Sequence, residues 1–385
     1  MPSVSPVNSP DHPPAVLIAA LSGRALAELA RKGGYRPLVV DLFGDEDTRR
    51  YAHASRVIRG NLTQGPDAGD LMAALSDLVQ QCDSPPIGVV CGAGFEGQPS
   101  VLDELAKRWR VLGCTSDIVK RAKDPFAFAR LCAELDIPHP EICFAPPGDP
   151  QHWLAKRVGG SGGWHISPAN VRAPAEGVYF QRRVTGQPIS ALVAGTRGAA
   201  RVIGWSAQWI SPAADAPYRW GGAVQPARID PDLQARLDDS ARNLAAAAAI
   251  VGIASIDFLV DETRWHVLEI NPRPGGTLDI FDDGRGRLFE MHVQACGGRL
   301  IDPPHYRCAQ ACVIALAERD IDTMPHMRWP DWCADLQAGG TRVEAGAPVC
   351  TIRAAADDPD TARRLVEHRW RALLQMVHQP ELASC

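Results

Sequence analysis

The chain has 385 residues, of which 45% are hydrophobic and 22% charged, enough to bury substantial cores in two to three domains. A formal net charge of −5 without aromatic-basic interleaving excludes the electrostatic footprint of a nucleic-acid partner. No apolar run approaches the roughly 20 residues that cross a bilayer; the longest, 244–254, is interrupted by Gly252, so a soluble, cytoplasmic protein with no membrane partner is expected.

Residues 1–14 carry five prolines and no apolar core, and read as a disordered tail. Residues 15–20 (A-V-L-I-A-A) form a short apolar strand, followed by the loop S-G-R and a helix that ends at Gly33-Gly34. Further strands are expected over 37–42, 87–91 and 111–114, with helices over 69–81 and 101–110 between them. Such alternation implies a parallel sheet with ligands at the carboxyl ends of its strands. Ser22, Gly23 and Arg24, then Asp41, Gly44 and Asp45, then 92–96 fall at those ends, and Arg24 and Glu96 are the members able to contact a second substrate. The S-G-R-A turn lacks G-x-G-x-x-G spacing, which disfavours a dinucleotide cofactor. Residues 120–135 read as one amphipathic helix, with Asp124-Pro125 as its cap and first-turn pair.

Trp153 opens a strand carrying Lys156, which runs into Gly159, Gly160, Ser161, Gly162 and Gly163. Four glycines and a serine expose backbone N–H groups and can fold over phosphates. Residues 250–277 then hold two β-type runs around a polar turn at 261–264, the pattern of an antiparallel hairpin. Glu269, Asn271 and Arg273 sit two apart, so all three side chains are expected on one face, with Asp257 opposite them. Two carboxylates and an amide oxygen are hard ligands for Mg²⁺, with Mn²⁺ as the alternative ion, and Arg273 offers a planar fork for phosphate or carboxylate oxygens. Gly275 and Gly276 in the P-R-P-G-G turn are candidates beside the second substrate. Toward the C-terminus, 308–317 reads as a strand, W-P-D-W-C-A-D-L as a loop anchored by its tryptophans, 339–354 as a β-hairpin, and 359–377 as a closing helix. Eleven scattered cysteines without a C-x-x-C pair argue for a reducing compartment, with Cys350 a packed thiol.

The segment D-F-L-V-D…W-H-V-L-E-I-N-P-R-P-G-G resembles the metal-binding core of the ATP-grasp superfamily, whose members join a carboxylate to a nucleophile through an acyl phosphate. The resemblance implies α/β and α+β architecture. It would comprise an N-terminal parallel α/β (pre-ATP-grasp) domain over 15–118, an ATP-grasp region over 119–300 with a lid at about 140–185, and a small C-terminal β-containing lobe over 301–385. By the same resemblance ATP and Mg²⁺ are the cofactors. Asp257, Glu269 and Asn271 are the metal ligands, and Lys156 with Arg273 the catalytic pair. Gly159 to Gly163 form the lid loop, and Gln181, Arg182, Arg183 and Val184 the hinge whose backbone reads adenine. Asp124-Pro125 stands where the family has Asp-Lys, so Lys123 or Lys120 must supply that phosphate contact; Gln187 or Ser190 takes the place of a ribose carboxylate, and Gln208 is a further contact.

The expected activity is an ATP-dependent carboxylate–amine ligase acting on small-molecule acids and amines, with a homo-oligomer left open. Two alternatives remain: a biotin-carboxylase-like enzyme, whose general-base glutamate position is here Thr277, and a non-catalytic nucleotide-binding scaffold. A-L-S-G-R-A-L-A, D-L-F-G-D-E-D, C-G-A-G-F-E-G and W-P-D-W resemble a carboligase subgroup related to biotin carboxylase and associated with methanopterin- and methanofuran-type one-carbon metabolism, which implies a role in cofactor biosynthesis.

Overall fold

The computed structural model describes residues 13–171, 175–262 and 264–378. The expected tail at 1–14 lies outside these apart from its last two prolines. Strand β1 (Ala15–Ala19) is the fully buried centre of a five-stranded parallel sheet. Its neighbours are β2 (Arg36–Asp41) and β3 (Ala54–Val57) on one side, and β6 (Val89–Cys91) and β7 (Val111–Leu112) on the other. A two-stranded ribbon of β4 (Gly60–Asn61) and β5 (Gly65–Pro66) lies between β3 and β6 in the chain. Helices α1 (Arg24–Lys32), α2 (Glu46–Tyr51), α3 (Ala68–Gln80) and α4 (Ser100–Ala106) make the connections. The edge strand β3 escapes apolar patterning because A-S-R-V is half polar and only half buried.

The single helix expected over 120–135 is two. Helix α5 (Ser116–Lys123) stops at Asp124, whose extended backbone (φ −75°, ψ 116°) follows from the proline after it, and α6 (Pro125–Glu134) starts afresh. The Asp124 carboxylate accepts the Ala127 N–H at 2.7 Å and caps α6. This break leaves Lys123 on the last turn of α5, which packs on the large sheet at β16 (Arg264–Asn271).

A second, antiparallel sheet contains β8 (Ile142–Cys143), β9 (Trp153–Arg157), β10 (Ile166–Pro168) and β11 (Val178–Arg182), ordered β10-β9-β11-β8. It has its own small core of Trp153, Ala155, Ala169, Val178 and Phe180.

The largest sheet has eight strands. These are β12 (Gln187–Thr196), β13 (Ala200–Ile210), β14 (Trp220–Gln225), β15 (Val251–Asp261), β16, β17 (Ala309–Leu316), β18 (Cys333–Ala334) and β19 (Pro348–Ala356), in the order β16-β15-β12-β13-β14-β17-β19-β18. Alternation along β12 feeds two cores. Ile189, Ala191 and Val193 join Leu233, Leu237 and Leu244 of α7 (Pro231–Ala247), while Leu192 and Ala194 join Phe289 and Met291 of α8 (Arg287–Cys296). α8 also packs on α1, tying the large sheet to the parallel one. The hairpin expected over 339–354 does not form: β19 pairs with β17 and β18, and Val343 makes an isolated bridge to Ile321. The C-terminal strands thus extend the large sheet, and α9 (Pro359–His378) packs on β17 and β19. Among the described residues no helix is long and apolar enough to cross a membrane.

Candidate active site

The β15–β16 hairpin forms, but its alternation is broken by a bulge at Leu268: Asp257 pairs with Glu269, while Phe258 pairs with Val267. Trp265 and Val267 face the main core before the bulge, and Ile270 faces it after. The extra residue switches which residue parity points inward, so Glu269 and Asn271 emerge on the face opposite Ile256 and Ile270. Without the bulge, both would follow Trp265 and Val267 into the apolar interior.

On that face Asn271 Nδ2 donates to Asp257 Oδ2 at 2.9 Å, and Ser190 Oγ of β12 donates to Asp257 Oδ1 at 2.6 Å. Lys123 Nζ donates to Asn271 Oδ1 at 2.8 Å and to Glu269 Oε2 at 3.2 Å. The ammonium shows that these oxygens can converge on one cation. Burial and the adjacent Glu269 push the Asp257 carboxyl up. Burial opposes the charge of Glu269 as well, but the Lys123 and Lys156 ammoniums hold it well below the usual carboxylate range. Among the described residues no three His, Cys, Asp or Glu side chains cluster as a metal site; the candidate set is two carboxylates and an amide. Hard oxygens of this kind, too few to enclose an ion, fit Mg²⁺, which completes its shell with water and nucleotide phosphate.

Lys156 projects from β9 into the same cleft and is 3% exposed. It donates to Gln181 Oε1 at 3.2 Å. Burial works against its ammonium, yet Tyr179, Glu269 and Asp257 raise its pKa above the ordinary value. The cleft is walled by Lys123, Pro125 and Phe128 on one side, Tyr179 and Gln181 on another, and Leu268 and Glu269 beneath. Of the two lysines considered for the missing phosphate contact, only Lys123 reaches the site. Lys120 is half exposed and lies 3.7 Å from Asp103. We therefore expect Lys123→Ala to weaken Mg-ATP binding about tenfold or more, while Lys120→Ala leaves it within about twofold, as read by nucleotide titration calorimetry. Equal losses in the two variants would remove Lys123 from the site.

The glycine loop covers this cleft and touches the parallel sheet. Gly159 has φ +74°, and a Cβ there would collide with the Glu96 carbonyl. The loop, with Arg157, Trp164 and His165, roofs a cleft of about 230 Å³ whose floor includes Gly94, Glu96 and Gly97. His165 Nδ1 lies 3.3 Å from the Ser161 carbonyl, and burial pushes its imidazole down to about 4.

Part of the hinge backbone is already engaged. Arg182 N–H donates to the Glu141 carbonyl and Arg183 N–H to the His152 carbonyl, each at 2.8 Å, so neither N–H can read adenine. The Arg182 side chain is exposed and its guanidinium stacks over Trp153. Gln181 is buried and its side chain accepts from Lys156, while the carbonyls of 181–183 and the backbone of Val184 stay as hinge candidates. Gln187 is exposed at the start of β12, and Ser190 serves Asp257. Gln208 accepts from Trp220 Nε1 at 3.1 Å and is not among the oxygens around Lys123. Trp332 anchors the C-terminal strands, packed against the main core with the Arg369 guanidinium over its ring. Cys350 is buried, and burial raises its thiol well above the ordinary value.

Arg273 lies beyond the end of β16, and its guanidinium turns to Glu96. Its Nε donates to Glu96 Oε1 at 2.6 Å, and its Nη1 lies where a side chain on Gly275 would collide with it. Glu96 Oε2 also accepts the Gly94 and Phe95 N–H groups. Burial opposes ionisation of Glu96, but Arg273 and Lys123 hold its carboxyl below the usual range. The two residues expected to meet phosphate and second substrate are thus partners, clamping the parallel sheet to the hairpin. Arg24 is 2% exposed and donates to Asp279 through Nη1 and Nη2, at 2.5 and 2.6 Å, and to Asp335 at 2.9 Å. Asp279, Asp335 and Tyr179 carried no signal as site residues in the sequence, and Ser190, expected beside the ribose, instead donates to Asp257. Each of the first three lies outside a recognisable motif and is brought in only by tertiary contacts.

A parallel α/β sheet, a small antiparallel sheet with a glycine loop, and a large antiparallel sheet bearing this polar face together make the ATP-grasp fold, the fold class of ATP-dependent ligases. Residues 122–277 match the ATP-grasp domain family. The structure is similar to an ADP complex of N5-carboxyaminoimidazole ribonucleotide synthetase, with a TM-score of 0.68 and 17% identity over 96% of this chain and 99% of that one. Biotin carboxylase from Campylobacter jejuni gives a TM-score of 0.67 at 15% identity, over 91% of this chain and 89% of that one. Among curated sequences, the carbamoyl phosphate synthase large chain of Myxococcus xanthus is 24% identical over 292 residues, 69% of this chain. That of Rubrobacter xylanophilus is 24% identical over 225 residues, 52% of this chain. This chain spans 26% and 21% of the length of these two relatives.

Proposed function

We propose that the protein is a Mg-ATP-dependent ligase that joins a small-molecule carboxylate to an amine through an acyl phosphate. The observation that carries this reading is the convergence of Asp257, Glu269 and Asn271 with the buried ammoniums of Lys123 and Lys156 in one cleft. In the proposed reaction a carboxylate oxygen attacks the terminal phosphorus of ATP and ADP departs; the amine then attacks the acyl carbon and phosphate leaves with the former carboxylate oxygen. When bound, Mg²⁺ neutralises charge on the phosphate oxygens. Lys156 and Lys123 place fixed positive charge beside the transferring group, at a site already dry enough to strengthen it. Ser190 holds Asp257 in its orientation, and the glycine loop roofs the neighbouring cleft. Arg273, fixed by Glu96, sets the position of the 272–276 turn between the phosphates and the second substrate.

The carboxylating alternative draws support from whole-chain similarity to biotin carboxylase and to N5-carboxyaminoimidazole ribonucleotide synthetases. Against a biotin-dependent form stands Thr277, buried at the position where a general-base glutamate is expected. Both readings share activation of a carboxylate, bicarbonate in one case and an organic acid in the other. The finer assignment to methanopterin- or methanofuran-type cofactor synthesis rests on the carboligase resemblance alone.

The test is ADP and phosphate release from Mg-ATP across pools of organic acids and amines, with bicarbonate as a separate arm. Release that requires both an organic acid and an amine is expected. Release with bicarbonate and no other acid would favour the carboxylating reading, and nucleotide binding without release under any pool would favour a scaffold.

A further inference from the structure

Behind the P-R-P-G-G turn lies a cavity of about 240 Å³ that the mechanism above does not use. Its walls come from three parts of the chain: the ends of the parallel strands, the 274–279 turn, and the C-terminal strands. Leu21, Phe43, Leu62, Trp220 and Ile314 make most of it apolar. Leu62 also lines the cleft beneath the glycine loop, so the two spaces are neighbours. The volume is below the roughly 300–1,000 Å³ of drug-sized sites, which limits an occupant to a small molecule.

One pole of the cavity is acidic. Arg24, Asp45, Asp279 and Asp335 line it, with Asp41 and Asp47 just behind. Most of these carboxylates have partners. Asp279 and Asp335 are held by Arg24, Asp41 accepts the Gly23 and Gly44 N–H groups, and Asp47 accepts those of Asp335 and Leu336. Asp45 differs. It is 3% exposed, its Oδ1 has no hydrogen-bond partner, and its side chain makes no cap to α2 although it precedes that helix. A buried carboxylate oxygen left without a partner carries a desolvation penalty that native structures rarely leave uncompensated. Burial and the neighbouring Asp335, Asp41 and Asp47 also push Asp45 up to about 8. Arg24 is engaged by Asp279 and Asp335, so Asp45 has no cation of its own.

We propose that this cavity binds a small amine, its ammonium donating to Asp45 and its apolar aliphatic or aromatic body lying against Phe43, Trp220 and Ile314. Its role as the nucleophile rests on the ligase reading above; its binding does not. An anionic second substrate is excluded by the surplus of carboxylates, since Arg24, the lining cation, is already engaged by Asp279 and Asp335. A neutral alcohol can donate one hydrogen bond to Asp45 but leaves the surplus of negative charge uncompensated.

The test is calorimetric titration of the full chain, without nucleotide, with hexylamine, 1-hexanol and hexanoate. Hexylamine is expected to bind about tenfold or more tighter than hexanol, with hexanoate weakest, and Asp45→Asn to bring hexylamine and hexanol within about twofold. If Asp45→Asn does not fold, Asp335→Asn serves: Asn accepts the left-handed backbone of that position (φ 55°), and a smaller drop in amine preference is expected. No preference for the amine in the unmodified protein, or an unchanged preference in the variants, overturns the proposal. ATP turnover is read separately. Selective amine binding without amine-dependent ADP release supports the cavity and sinks the ligase reading, whereas amine-dependent release without selective binding does the reverse.

Discussion

Replacing Glu269 by alanine is expected to cut ATP-dependent turnover by about 10²–10³-fold or more, with a cooperative unfolding transition retained. Two buried ammoniums hold the Glu269 carboxyl well below the usual carboxylate range, and Lys123 ties it to Asn271 across the candidate metal face. On the proposed reading its loss removes a hard oxygen ligand, and it takes away the carboxylate that stands beside both Lys123 and Lys156. The nearby Asp257 gains, because a like charge beside it disappears. These opposite effects on the fold are why activity should suffer far more than stability. The check is steady-state ADP release over a Mg²⁺ titration, beside a thermal melt. Full activity in the variant would remove Glu269 from the metal set; recovery at high Mg²⁺ would place the loss in metal affinity.

The pattern that made this face legible is local. Glu269, Asn271 and Arg273 are close in sequence, and the apolar residues between them mark a strand. Spacing places Glu269 and Asn271 together, but not the bulge that turns them out of the core: a bulge is one extra residue and leaves no hydrophobic signature, so the inward switch from Val267 to Ile270 is visible only once β15 is paired. Arg273 illustrates the same limit from the other side. Spacing of two carries it onto the face of Glu269 only if the strand continues, but β16 ends at Asn271 and the chain turns toward Glu96.

Partnerships across long separations were invisible for a different reason. Arg24 and Asp279 are 255 residues apart, and nothing in either segment names the other. Lys123 was a candidate because a lysine was missing after Asp124; the broken helix then determines that it, and not Lys120, reaches the cleft. The parallel strands β1, β2 and β6 were readable from short apolar runs. The half-polar β3 was not, nor was the union of β17 and β19 with the large sheet, because partner choice among strands of similar composition is set by tertiary packing.

The largest effect on stability is expected at Arg24. Arg24→Met preserves much of the side-chain volume and removes the cation that joins α1 to the Asp279 turn and to Asp335. Lys32 and Arg353 still reach Glu28, and Arg353 lies 3.5 Å from Asp279, so the cluster is not left without any positive charge. Neither replaces the two-pronged contact with Asp279, and Asp335 loses its cation. Breaking a buried pair by deleting one partner costs about 3–5 kcal/mol, and that is the loss expected at pH 7 from urea unfolding. The pH dependence follows from Asp279. Burial would raise its carboxyl, but Arg24 holds it at about 2. A depressed carboxylate contributes stability that is complete above its unfolded pKa and is lost as pH falls through the folded one. With Arg24 gone, the Asp279 carboxyl rises and takes up its proton at a higher pH, which relieves the repulsion with Asp335 and Glu28. The gap in unfolding free energy between the two proteins should therefore narrow as pH drops from 7 to 4. A gap that stays constant would mean that Arg24 acts through packing and not through charge, and a variant as stable as the parent at pH 7 would show that the carboxylates at this pole are already neutral.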